Sequence, residues 1–373
     1  MKIAIFLTFD YSLLTWQNSG TLDKELKIYE VLSKTYKIDF TFYSYGTNSD
    51  IDLIKNYPIF KVVPLFNNLK FNNKLFKLIY SIYIPFKHKN DLKHYDILQQ
   101  HQLLGSWVVI ILKILIKKPI LIRTGYDMYE FSKYTKKRYS LKVLLFYLLT
   151  EISLMFASIY TVTSKCDYNF LKENFRFNHK KIKIRPNWVI NNFKKDFENR
   201  YHYKIVSVGR LDNQKNYLEL IKLFPRDSKF ELTIYGDGPE KIEIAKQIKK
   251  DNLKVTIKNN IPNNSLLEDL NNYKFYISSS KFEGNPKSLL EAMSSGCIVF
   301  ATNIKNHKEI INNKNGVLFD LKKLHFLDEL IKVANNFDLQ KKLSKNSMET
   351  VLKNNELNKI ASLFYDDYLC LTK

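Results

Sequence analysis

Short apolar runs alternate along this chain with stretches of helical period, and turns rich in Asn, Ser and Gly separate them. In the first half, runs at 2–7, 39–43, 96–100, 119–123, 159–163 and 182–184 predict strands. In the second half, runs at 203–208, 231–235, 275–277, 297–300 and 316–319 do the same. Residues 22–32 have helical period, and further helical stretches separate the later runs. Strand and helix in alternation suit parallel sheets with crossover helices, so the chain reads as an α/β protein. At 373 residues two domains are expected, 1–190 and 200–355, with the polar, charged stretch 191–200 as linker.

Two apolar stretches, 103–112 and 143–160, fall short of the ~18 uninterrupted residues a spanning helix needs. Lys113 ends the first and Glu151 breaks the second, and both read as buried crossover helices. The opening run stops at Asp10 and reads as a first strand, not a signal peptide. Residues 70–89, KFNNKLFKLIYSIYIPFKHK, are different: lysines alternate with aromatic and aliphatic residues, and acids are absent. Two readings stand, a crossover helix with a solvated lysine face or an amphipathic segment lying on anionic lipid, with Pro85 limiting its length.

With 45% apolar and 26% charged residues, the composition is that of an ordinary globular protein. Cys166, Cys297 and Cys370 have neither metal nor disulfide spacing, as expected in a reducing compartment. The net charge of +22 is largely lysine, and abundant Asn and Ile point to A/T-rich coding bias as one source. That bias does not account for the asymmetry, about +15 in residues 1–190 against about +7 in the rest. A phosphorylated or membrane-bound partner of the first half fits such a field. Nucleic acid would also fit, but no recognisable reading motif accompanies the charge. The pair Asp50 and Asp52 is not set beside any candidate site, so no metal is assigned to it.

The richest chemistry lies at 281–296, KFEGNPKSLLEAMSSG, between two apolar runs. Asn285 suits a helix N-cap and Pro286 the first helical position, so amides of Lys287 and Ser288 would point back into the loop. Such a helix end attracts phosphate. Leu289, Leu290 and Met293 form the buried face, while Lys287, Glu291 and Ser294 share the other. Glu291 then has two readings: an ordinary pair with Lys287 four residues earlier, or an acceptor for a ribose diol, with Glu283 on sugar hydroxyls.

This stretch resembles the signature of retaining glycosyltransferases of family 4, the group 1 type: Glu-Gly on a loop, a second Glu eight positions on, then Ala-Met and a small-residue turn. The resemblance implies a GT-B fold, two Rossmann-like doubly wound domains facing across a cleft, with residues 356–373 packing back on the first domain. It implies that Glu283 contacts the donor sugar, that Gly284, Asn285, Pro286, Lys287 and Ser288 line the sugar and diphosphate, and that Glu291 holds the ribose. In GRLDNQKN, 209–216, Arg210 and Lys215 match the pair that neutralises the donor diphosphate. Arginine forks onto two phosphate oxygens while lysine supplies a point charge. Gly236 in GDGP and Ile261 before Pro262 fall where the nucleotide passes, and Gly20 stands in a turn that in the family carries two glycines.

On the acceptor side His101, Arg123 and Asp127 end predicted strands, with Arg123 and Asp127 readable equally as a structural turn pair. Gly125 stands where many family members have a histidine, and Trp188 replaces a glycine after Pro186-Asn187. The implied activity is transfer from a nucleoside-diphosphate sugar to a glycan or lipid-linked acceptor, with no metal or other cofactor. Its setting would be surface-polysaccharide or lipopolysaccharide synthesis at the cytoplasmic side of the membrane. Rival readings are a sugar-nucleotide epimerase or a phosphorylase on the same fold, and a basic nucleic-acid-binding protein.

Overall fold

A parallel sheet needs strands that can be covered on both faces, and the apolar runs supply them. The computed structural model describes residues 1–67, 69, 73–135, 140–176, 179–321 and 325–373, without side chains at 134, 135, 179 and 325. The described chain forms two units, 1–186 with 358–373, and 187–357.

In the first unit the strands are β1 (Lys2–Phe6), β2 (Asp39–Ser44), β3 (Lys61–Pro64), β4 (Ile97–His101), β5 (Ile120–Arg123), β6 (Ile159–Val162) and β7 (Ile182–Ile184). They lie parallel in the order β3-β2-β1-β4-β5-β6-β7. The second unit has β8 (Tyr201–Val208), β9 (Glu231–Tyr235), β10 (Val255–Lys258), β11 (Tyr273–Ser278), β12 (Ile298–Thr302) and β13 (Val317–Phe319). Their order, β10-β9-β8-β11-β12-β13, repeats the first pattern, again parallel throughout. Each order reverses beside the unit's first strand, the switch point at which doubly wound sheets bind ligands.

Sequence reading missed β3. It is a short edge strand, partly exposed and ended by Pro64, so it carries little apolar signal. The stretch 191–200 is not a free linker: Asn192 and Arg200 are buried in the second unit. Arg200 donates to the Ser295 carbonyl at 2.7 Å, and Asn192 to the Leu267 carbonyl at 2.5 Å. The unused acid pair is also explained. Asp50 is buried and accepts from the amides of Leu13 and Leu14, both at 3.1 Å, capping the helix Leu13–Asn18 from outside it.

Right-handed crossovers after β3, β4 and β5 put helices Lys74–Leu92, Ser106–Ile116 and Leu141–Phe156 on one face of the first sheet. The middle helix ties to its neighbours through Trp107 Nε1 to Ser81 Oγ and through Ser106 Oγ with Ser153 Oγ, both 2.9 Å. The helix Lys74–Leu92 continues past Pro85, which is buried. The expectation that the stretch 143–160 is a buried crossover helix is corrected: in the helix Leu141–Phe156, Val143 and Leu154 face the core, while Leu144, Leu145 and Leu148 are exposed. Mean apolarity cannot say which side of a helix meets the sheet. Lys70 lies outside the described residues. The last helix, Leu357–Thr372, joins the first unit by a two-pronged Arg185–Asp367 pair at 2.7 and 2.6 Å and by Tyr368 donating to Gln99 at 2.7 Å.

Two buried acids give this unit a pH signature. Burial pushes the Asp127 carboxyl up to about 6, against the hydrogen bond of the Glu130 amide. It pushes Asp167 up to about 7, against the hydrogen bonds of Ser164 and Thr163. Both groups hold protons more tightly folded than unfolded, so stability falls as pH rises from about 4 to 7. Asp167→Asn should therefore stabilise the protein more at pH 8 than at pH 4.5, by ~1–3 kcal/mol in thermal melts. An equal change at both pH values would mean the acid is ionised in the fold.

Candidate functional site

Five loops leave the C-terminal ends of β8 to β12, and hydrogen bonds join those after β8 and β11 at the switch point. The first, 209–216, carries Lys215; the second, 279–286, carries Glu283. Lys215 Nζ lies 2.6 Å from Glu283 Oε1, and both side chains are largely buried. Ser280 Oγ donates to the same oxygen at 2.6 Å, while Gln214 Nε2 reaches the Phe282 carbonyl at 3.1 Å. The Ser279 hydroxyl holds the Lys215 carbonyl at 2.6 Å and the Lys281 amide holds that of Gln214 at 2.8 Å. Burial alone would raise the Glu283 carboxyl, but the Lys215 ammonium and the donated hydrogen bonds outweigh it and hold the group below its ordinary value. The carboxylate is thus an anion at neutral pH.

Behind Glu283 stands His307, which sequence reading did not single out. Its Nδ1 donates to the Thr302 carbonyl at 2.8 Å, and Nε2 is buried with no hydrogen-bond partner. Burial lowers its pKa despite the Glu283 charge, so the ring is neutral. The neighbouring Asn306 donates to the Gly284 carbonyl at 2.9 Å and fixes the loop. A signal for either was absent, because neither belongs to a local motif.

The helix after this loop runs Lys287–Ser294, one residue later than expected, with Pro286 at the cap and no side chain capping its first turn. Asn285 is not the N-cap. Its Oδ1 accepts from the Asn187 amide at 2.9 Å, and its carbonyl accepts from Asn187 Nδ2 at 2.6 Å. Ser288 Oγ accepts from the Tyr276 hydroxyl at 3.0 Å. Lys287 lies over the Trp188 ring, 5.4 Å from its centroid. Glu291 and Ser294 are not on a solvated face: both are buried, and Glu291 accepts from Asn263 Nδ2 at 2.9 Å. That bond joins the helix to the first residue of the helix Asn263–Leu270, which directly follows the loop holding Ile261 and Pro262 after β10.

Arg210 is not drawn into this cluster. Its side chain is 72% exposed, 3.7 Å from Asp212, so its guanidinium is free to turn. Gly236 has a steric reason: a Cβ there would lie 2.0 Å from the Gly209 carbonyl oxygen. The loops after β8 and β9 touch backbone to backbone, with Leu211 donating to the Asp237 carbonyl at 2.9 Å.

In the first unit two of the acceptor-side candidates, His101 and Arg123, hold one another. His101 Nε2 is 3.3 Å from Glu25 Oε2 and 3.1 Å from Arg123 Nη1, and all three are buried. Arg123 also lies 5.7 Å from the Phe364 ring centroid. Glu25, on the helix Leu22–Tyr36, was not distinguishable in sequence from any helix acid. Asp127 accepts from the Glu130 amide at 2.8 Å at the start of the helix Met128–Thr135. The Gly125 amide donates to Gln102 Oε1 at 2.8 Å. Gly20 sits in the turn before Leu22 with φ +70°, a left-handed conformation that favours glycine. Among the described residues, no three His, Cys, Asp or Glu side chains are grouped to hold a metal.

Both units thus share the doubly wound order of the GT-B fold. The whole chain matches Anabaena HepE, solved in complex with UDP and glucose, at a TM-score of 0.74 and 16% identity over 98% of this chain and 99% of that one. Residues 190–350, most of the second unit, match the family described as Glycosyl transferases group 1. One relative is the poly(ribitol-phosphate) alpha-N-acetylglucosaminyltransferase of Staphylococcus aureus (strain COL), 28% identical over 153 residues, 40% of this chain and 31% of that protein. Another is an N-acetylgalactosamine-N,N'-diacetylbacillosaminyl-diphospho-undecaprenol 4-alpha-N-acetylgalactosaminyltransferase of Campylobacter jejuni, 28% identical over 219 residues, 56% and 60% of the two chains. The chain spans about a third to three-fifths of the length of the curated relatives it matches.

The close approach at Gly236 is directly testable. Gly236→Ala must push two backbones apart and should cost ~1–3 kcal/mol in urea unfolding. An unchanged midpoint would show that the two loops are not packed as described.

Proposed function

We propose that this protein is a retaining glycosyltransferase that moves a sugar from a nucleoside-diphosphate sugar to a glycan or lipid-linked acceptor in surface-polysaccharide synthesis. The observation that carries the reading is the buried Lys215–Glu283 pair at the switch point, next to an uncapped helix end. A fixed cation, a fixed anion and a phosphate-seeking helix end suit a donor whose diphosphate is negative and whose sugar offers hydroxyls. The kinship with sugar-transferring relatives supports the same class, and the UDP and glucose held by HepE make a UDP-sugar the first donor to try.

In this reading the second unit holds the donor and the first unit the acceptor. Lys215 and Arg210 balance the diphosphate, Arg210 turning in from solvent. Glu283 accepts from sugar hydroxyls, and Glu291 from the ribose diol, with Gly236 and Ile261 bordering the nucleotide. The acceptor oxygen attacks the anomeric carbon from the face the diphosphate leaves. The carbon–oxygen bond to phosphate breaks as the new glycosidic bond forms, and the acceptor proton passes to the departing diphosphate oxygen. Lys215, Arg210 and the helix end stabilise the charge that grows on that oxygen, so no metal is required. His101, Arg123 and Asp127 would act on the acceptor side by fixing the strand ends, since their own bonds are internal.

The first test is release of the nucleoside diphosphate from UDP-, GDP- and dTDP-sugars with and without EDTA; no turnover of any donor would sink the proposal. Lys215→Ala should then lower turnover ~10²–10³-fold in a folded protein. Glu291→Gln should weaken donor binding by roughly 1–3 kcal/mol, measured by calorimetry, whereas Glu283→Gln should reduce turnover more than binding. Unchanged donor affinity in Glu291→Gln would return Glu291 to a purely structural role with Asn263.

A further inference from the structure

Soluble proteins rarely leave more than a few hundred Å² of continuous apolar surface uncovered. Here fifteen of the twenty-seven exposed large apolar side chains among the described residues fall on just three adjacent helices of the first unit. On Leu141–Phe156 the outward positions are Leu141, Leu144, Leu145, Leu148, Ile152 and Met155, a full stripe at helical spacing. Their exposure runs from 43% to 72%. The inward face of that helix includes Thr150 and Ser153, so its outside is the more apolar side. On Lys74–Leu92 the outward stripe is Leu75, Ile79, Ile82 and Phe86, with Phe76 and Tyr83 beside it. Between them, Ile114 and Leu115 show on Ser106–Ile116. Together they expose on the order of 1,000 Å² of apolar surface, roughly twice the largest patch of an ordinary monomer.

We infer that this three-helix face docks on an anionic lipid bilayer, with the helix Leu141–Phe156 as its main inserting edge. This rests on the reading that the acceptor is lipid-linked or membrane-borne. Charge selects the occupant. The three helices carry six lysines and two acids, Asp91 and Glu151. Lys74, Lys87, Lys89 and Lys142 are exposed near helix ends, and Lys117 just follows the middle helix. Apolar side chains in the middle with cations at the margin match the boundary between acyl chains and anionic headgroups. A second copy of this chain suits the face less well, because a two-fold contact would set those cations against each other. Among the described residues no helix is long and apolar enough to cross a membrane, so the contact would be peripheral.

The test is co-sedimentation of the whole protein with phosphatidylcholine vesicles lacking or containing 30% phosphatidylglycerol, at low and high salt. Binding should need phosphatidylglycerol and weaken with salt. Leu144→Glu with Leu148→Glu should reduce the bound fraction roughly tenfold or more, since both leucines would leave the acyl phase. The variant should keep its wild-type thermal unfolding, sedimentation as a monomer, and donor hydrolysis in vesicle-free solution. Vesicles ignored at low salt, or bound equally by the variant, would overturn the proposal. So would a dimer in solution that the two substitutions split. Donor hydrolysis is read separately, so a failed membrane contact leaves the sugar-transfer reading standing, and a failed hydrolysis leaves the membrane result interpretable.

Discussion

The Lys215–Glu283 ion pair is the constraint on which the second unit's loops depend. A buried carboxylate is costly unless it is paired and hydrogen-bonded, and Glu283 is both. Its partners come from two separate loops: Lys215 and Gln214 from the turn after β8, Ser280 from the turn after β11. Removing either charge would leave the other buried and unbalanced. The pair therefore locks the mouths of two adjacent strands together before any substrate arrives. In the proposed reading, an arriving phosphate would compete with a carboxylate for the same ammonium, which would favour a ligand carrying more than one negative charge.

Much of the fold was legible because parallel strands announce themselves. A strand buried on both faces reads as an unbroken apolar run, and the observed β1, β9 and β11 lie where those runs stand. The turn chemistry was equally visible, with glycines at 209 and 236 flanking the strand ends. What escaped was relational. β3 is an edge strand with one proline and little apolar contrast. Arg200 looked like linker charge, yet its guanidinium serves the carbonyls of Lys195 and Ser295. A single sequence gives no sign that a polar residue will meet backbone brought in from ninety-five positions away.

The candidate site was legible in its local part and opaque in its tertiary part. Residues 281–296 and 209–216 each carry recognisable chemistry, and the structure brings Lys215 to Glu283. Asn285 is not the expected cap, and Glu291 has a partner outside its helix, because Asn187 and Asn263 are distant in sequence. Glu25 and His307 were invisible for the same reason. Helix Leu141–Phe156 taught the converse: its composition was read correctly, but its orientation on the sheet leaves its most apolar side outward.

The first unit is discontinuous in sequence, and this has a consequence for how the chain is made. Its closing helix supplies Asp367 to Arg185, Tyr368 to Gln99 and Tyr365 to a stack on Tyr36. A ribosome must finish all of 187–357 before that helix emerges, an interval of roughly ten to thirty seconds at ordinary elongation rates. For that time the half-buried Arg185 lacks its carboxylate partner and the side-chain oxygen of the buried Gln99 lacks the Tyr368 hydroxyl. The first unit therefore closes last although it is begun first, while the second has all of its own residues before that helix is made.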